Sequence, residues 1–192
     1  MANIRYFFDP LCGWCYAVSP AIAKLAETHE VELLPTGLFS HSERKMTADF
    51  ADYAWSNDQR IAQLTGQVFS ESYRQNVLGG QGDFDSFPLV VALTAVRNVA
   101  PEQELAIFHR LQTARYVDGL DTAQMSVIAD LLREILPQAV ALLHDAAIVE
   151  QANNRIRHNA KIFAELGLQG VPKVLVQEND GWRVVPMEQL FG

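Results

Sequence analysis

A chain of 192 residues, 49% of them hydrophobic, is long enough to bury one sizeable core and too short for two full domains. Its formal net charge of -8 leaves no basic surface for neutralising phosphates, so neither nucleic acid nor an anionic membrane is expected as a partner. No stretch reaches the roughly 18 consecutive apolar residues of a membrane span, and Met1-Ala2-Asn3-Ile4-Arg5 opens no apolar leader, so the chain reads as cytoplasmic.

In chain order, Ile4-Arg5-Tyr6-Phe7-Phe8 is β-branched and aromatic and runs into Asp9-Pro10, which predicts a short buried strand stopped by a turn. From Cys12 to about Glu27, Cys15, Val18, Ile22, Leu25 and Ala26 recur at helical spacing, with Pro20 expected to kink the helix. Val31 to Leu38 predicts a second strand, in which Pro35 argues for an edge position or an early end.

From about Met46 to Leu166 only helical patterns follow. Ser86 is the expected cap of a helix carrying Leu89, Val90, Leu93 and Val96 on one stripe, and Glu102 to Tyr116 predicts another, ended by Asp118-Gly119. A third starts at Asp121 or Thr122, buries Met125, Ile128, Leu132 and Ile135, and stops before Pro137. A fourth runs from about Asp145 to Leu166, with Gly167 just past its end. Lys173–Gln177 and Trp182–Val185 then read as strands joined by the turn Glu178-Asn179-Asp180-Gly181. This order predicts an α/β class, a thioredoxin-like fold with a large all-helical insertion. Residues 1–40 and 167–192 would form the thioredoxin-like domain, and 41–166 the insertion covering the active site.

Only two cysteines occur, in Cys12-Gly13-Trp14-Cys15, too close together to staple a fold. At the start of a helix this spacing puts both sulfurs on one turn, where a disulfide ring closes and opens reversibly. Cys12, with unpaired backbone N–H groups around it, is the expected attacking thiolate, and Cys15, one turn inward, the resolving thiol. Half of a zinc site is the competing use of such a pair. Zinc needs four ligands, however, and His29, His41, His109, His144 and His158 show no ligand spacing, so no metal is expected.

Tyr6-Phe7-Phe8-Asp9-Pro10-Leu11-Cys12-Gly13-Trp14-Cys15-Tyr16, Phe84-Asp85-Ser86, Gln112-Thr113-Ala114-Arg115-Tyr116 and Gly167-Leu168-Gln169-Gly170-Val171-Pro172 together resemble the DsbA-like branch of the thioredoxin superfamily. Within it, they resemble the cytoplasmic disulfide isomerase-like and FrnE-like group, over nearly the whole chain. The resemblance implies a protein disulfide oxidoreductase or isomerase with Cys12 and Cys15 redox-active. Gly13, Val171 and Pro172 would contact substrate, as would Trp14 unless it packs on the insertion instead, and a cis Val171-Pro172 peptide would pack against the disulfide. Protein or peptide thiols and disulfides are the implied partners. No cofactor is implied beyond the disulfide, with glutathione a candidate co-substrate.

Two departures stand out. Tyr6 occupies the place where thioredoxins carry a buried acid serving the second cysteine; Asp9 is a candidate substitute, or simply a turn residue before Pro10. The additional cysteine pair of some FrnE-like proteins is missing. Among other residues, His41, Arg44 and Lys45 fit a solvated loop better than a site for a thiolate or a glutathione carboxylate. Trp55, Tyr73 and Phe87 fit core packing better than a wall facing the site, and Trp182 reads as structural. Two alternatives differ in class. One is a glutathione-dependent transferase or isomerase of the kappa or 2-hydroxychromene-2-carboxylate type, for which Cys15 would be superfluous; the other is a non-catalytic thioredoxin-fold binding module.

Overall fold

Strand β1 (Asn3–Phe8) lies inside a mixed four-stranded sheet, parallel to β2 (Glu30–Pro35) and antiparallel to β3 (Lys173–Glu178), which pairs antiparallel with β4 (Gly181–Val184). The strand order is β2-β1-β3-β4, so Pro35 does end an edge strand. This computed structural model describes residues 3–179 and 181–191; Asp180, in the expected hairpin turn, lies outside them. Register places Tyr6 between Leu33 and Val174. The two-residue alternation then sends Ile4, Tyr6 and Phe8 into the main core, while Phe7, Leu34 and Leu175 form a second cluster under Ile162 and Phe163.

After β1 come α1 (Gly13–Ala17) and α2 (Ser19–Ala26), separated at Val18, with Pro20 in the first turn of α2. The predicted kink is thus a break, placed where a proline lacks no helical partner. The 41–166 stretch holds α3 (Ala48–Thr65), α4 (Phe87–Val99), α5 (Glu104–Tyr116), α6 (Met125–Ile135), α7 (Pro137–Val140) and α8 (Ala146–Glu165). Every residue of α4 from Leu89 to Val96 is buried, so it has no apolar stripe but a buried circumference, packed by α5, α6, α7 and α8. Phe108 of α5 meets Phe8 at 4.4 Å between ring centroids and ties this layer to β1. From α8, Arg155 donates to the Leu33 carbonyl (2.9 Å) and Asn159 to that of Pro35 (3.0 Å), serving the edge strand of the sheet. Asp145 caps α8 through Ala147 N–H (2.7 Å), and Gly167, at φ 65°, follows its C-cap.

Some boundaries moved. Between α3 and α4 a π-helical turn (Tyr73–Leu78) appears that no pattern announced. α5 begins two residues late, after a 3-10 turn at Pro101–Gln103. α6 begins after Gln124, because the Asp121 carboxylate is occupied by Arg115 (3.0 Å) and turns back to Ala123 N–H (3.2 Å) instead of capping a helix. Ile135, expected inside, is exposed.

Candidate active site

The turn that joins β1 to α1 builds the site. Asp9 Oδ1 accepts from Leu11 N–H (2.9 Å) and the Asp9 carbonyl from Cys12 N–H (3.1 Å), so the chain leaving the sheet folds directly into the helix. Tyr116 of α5 donates its hydroxyl to the Leu11 carbonyl (2.9 Å) and pins the turn from above. Cys12 falls at the N-cap position in extended conformation; Cys15 lies one turn on. Both are free thiols, Cys12 keeping 8% exposure and Cys15 none. Burial pushes the Cys15 thiol well above its usual range, the Cys12 sulfur beside it adds to this, and a backbone hydrogen bond from Asp9 opposes it. With five residues, α1 contributes a smaller dipole than a long helix predicted from Cys12 to Glu27 would.

Across the turn, the Cys12 thiol points to the Val171 carbonyl, with Sγ 3.8 Å from the oxygen, and the Val171-Pro172 bond is cis. Trp14, Val171 and Pro172 line an open, largely apolar cavity of about 600 Å³, together with Leu64 of α3 and Phe191. Trp14 is half-buried and packs on Phe191 at 6.0 Å. Gly13 does not face this cavity; it backs onto Asp58 and Ile61 of α3. Among the described residues, no group of three or more His, Cys, Asp and Glu is placed to hold a metal ion.

Two buried acids flank the cysteine turn. Asp9 is fully enclosed, its second oxygen accepting from Phe39 N–H and Ser86 Oγ, both at 2.9 Å, and burial raises it to about 6. Ser86 therefore does not cap α4; Asp85 accepts from Phe87 N–H instead (2.8 Å). Asp58, which no sequence pattern singled out, accepts from Tyr73 Oη (2.9 Å), and burial raises it to about 7. Tyr6 is buried and donates to the Cys15 carbonyl (2.9 Å).

The remaining candidates are engaged elsewhere. His41 packs against Phe87 and bonds Asn153, Arg44 lies over Phe50, and Lys45 pairs with Asp83. Trp55 carries Arg74 over its ring, and Trp182 carries Arg5.

The description "DSBA-like thioredoxin domain" fits residues 3–191. The chain belongs to that family. This DSBA-like chain is similar to the cytosolic disulfide reductase DsbM from Pseudomonas aeruginosa, at 28% identity over 99% of this chain and 92% of that one, with a TM-score of 0.89. A second structure of that protein, described as with GSH, gives 29% identity over the same shares and a TM-score of 0.87. A protein from Nitrosomonas europaea, named as a candidate disulfide isomerase, shares 20% identity over 98% and 95% of the chains with a TM-score of 0.77. A 2-hydroxychromene-2-carboxylate isomerase shares 19% over 98% and 91% with a TM-score of 0.64. These last two speak for the fold alone. No curated protein matches the sequence.

Proposed function

We propose that Cys12 and Cys15 form the redox-active pair of a cytoplasmic thiol-disulfide oxidoreductase that reduces or isomerises disulfides of proteins or peptides, with glutathione as co-substrate. The observation that carries this reading is the graded pair: a reachable Cys12 beside the Val171 carbonyl and a wholly enclosed Cys15 one turn behind it. In the first step the Cys12 thiolate attacks a substrate disulfide, forming a mixed disulfide while one substrate sulfur leaves as a thiolate and takes a proton from water. The Cys15 thiol then gives up its proton, for which Asp9 is the adjacent buried acceptor, and its sulfur attacks Cys12 Sγ. The second substrate sulfur leaves, and the pair has passed two electrons to the substrate and closed its own disulfide. Two glutathione thiols restore it, releasing one glutathione disulfide.

The cavity beside Trp14 and Val171 is large enough for a peptide-sized thiol, and the GSH in the name of the Pseudomonas structure supports glutathione as one. The word cytosolic in that protein's name supports the compartment, where thiols are kept reduced and reduction is the favoured direction. The test is single-turnover reaction with a disulfide-bridged peptide. Cys15→Ser should accumulate a mixed disulfide on Cys12, and Cys12→Ser should do nothing. Sustained glutathione-coupled reduction by Cys12→Ser would overturn the assignment.

A further inference from the structure

The absence of a side chain at residue 13 admits a carboxylate to the back of the cysteine turn. A Cβ on Gly13 would meet Asp58 Oδ1 at 2.6 Å and Ile61 Cδ1 at 3.2 Å, so the glycine leaves the Asp58 carboxylate free to lie against the start of α1, and a side chain there would turn it away. Asp58 is 5% exposed. Its Oδ2 accepts from Tyr73 while Oδ1 is turned to Gly13, the neighbour of Cys12. The nearby cation, Arg115, is buried with its guanidinium 5.9 Å from the Tyr73 ring centre, but it pairs with Asp121 at 3.0 Å and reaches Asp58 only through space. Tyr116 lies close enough to both Asp58 and Cys12 for each to push its hydroxyl further up.

We propose that Asp58 is a positioning residue for Cys12: as a carboxylate it repels the Cys12 thiolate across Gly13 and restrains the nucleophile, and as a neutral acid it releases it. The idea rests on Cys12 being the attacking thiol. Like charges disfavour each other's ionised forms, and more so where water is excluded. Burial sets Asp58 to titrate at about 7, so both of its forms are populated near neutral pH. Of the other groups facing the turn, Tyr73, Tyr116 and Cys15 are pushed well above their usual ranges and stay neutral there, while Asp9, beside Cys15, is raised to about 6 and adds its own titration just below that of Asp58.

The test is ultraviolet titration of the Cys12 thiolate in the reduced protein and in Asp58→Asn, which keeps an acceptor for Tyr73 but cannot ionise. The variant should form its thiolate at lower pH than the wild type, with up to about tenfold more of it at a given pH. Equilibration with glutathione should shift the variant up to tenfold toward its reduced form, about 30 mV more oxidising. Reciprocity requires the Asp58 carboxyl, followed by carbon-13 NMR, to titrate lower by the same amount in Cys12→Ser. Should Asp58→Asn not fold, Tyr73→Phe removes the donor that favours the carboxylate and should move Cys12 the same way by less. Superimposable Cys12 titrations in wild type and variants would overturn the proposal and leave the redox pair standing. A wild-type Cys12 that forms no mixed disulfide would remove the underlying reading instead.

Discussion

Alkylation should separate the two thiols. Cys12 is the less buried of the two, at 8% exposure, and Cys15 is enclosed with its thiolate disfavoured by burial, so iodoacetamide near neutral pH should modify Cys12 at least about tenfold faster. Equal rates by peptide mass mapping would contradict the roles given to them. The buried carboxyls make a second, pH-dependent expectation. Asp58 is held at about 7 and Asp9 at about 6, against an ordinary 3.8, chiefly by burial. The unfolded chain ionises both near pH 4, so their contribution to stability is full below about pH 4 and is lost as pH rises through 6 and 7. His109, held down to about 4 by burial, acts in the opposite sense: its contribution is present above 6.5 and lost as pH falls through 4. Between pH 8 and 6.5 the Asp58 carboxyl gains more than His109 loses, and acidification over that range should stabilise the fold by about 0.5 kcal/mol. Thermal unfolding across that range should show Tm rising, with the slope reduced in Asp58→Asn; a flat wild-type profile would contradict the burial assigned to this carboxyl.

At the scale of elements, Phe108 is the clearest single joint between the helical layer and the sheet. It is almost fully buried and packs tilted against Phe8, so Phe108→Ala should cost about 3–5 kcal/mol in denaturant unfolding. A loss under 1 kcal/mol would mean that α5 is not seated on β1. Elements whose signals are local were legible in the sequence. Pro20 breaks the first helix, Pro35 ends an edge strand, Asp145 and Gly167 bound α8, and Asp9 folds the cysteine turn, each through its own or adjacent backbone. What depended on distant partners was not. Ser86 has the chemistry of a cap, yet its hydroxyl serves Asp9, 77 residues away. Asp58 looks like one more polar residue of α3, and only its contact with Gly13 and the Tyr73 hydroxyl marks it out. The π-helical turn that presents Tyr73 has no sequence period of its own to read.

Over the whole molecule, we propose the division into 1–40 with 167–192 as the thioredoxin-like part and 41–166 as the insertion, with the two parts folding together. α8, at the end of that insertion, packs on β2 and supplies Arg155 and Asn159 to its carbonyls, while α5 closes over Phe8. Replacing 41–166 by a short linker should therefore leave a chain without a cooperative unfolding transition, and a sharp one would show that the sheet needs no such cover. The site draws on both parts in the same way, with the cysteines and Val171 from one and Leu64, Asp58 and Tyr116 from the other. The redox pair itself is tested most directly by equilibrating the protein with glutathione buffers of graded ratio and counting free thiols. Cys12 and Cys15 should disappear together in one two-electron transition between about -180 and -260 mV, since neither Gly13 nor Trp14 can bring a positive charge to the thiolate. Two cysteines that oxidise independently, as separate glutathione adducts with no intramolecular disulfide, would contradict the account.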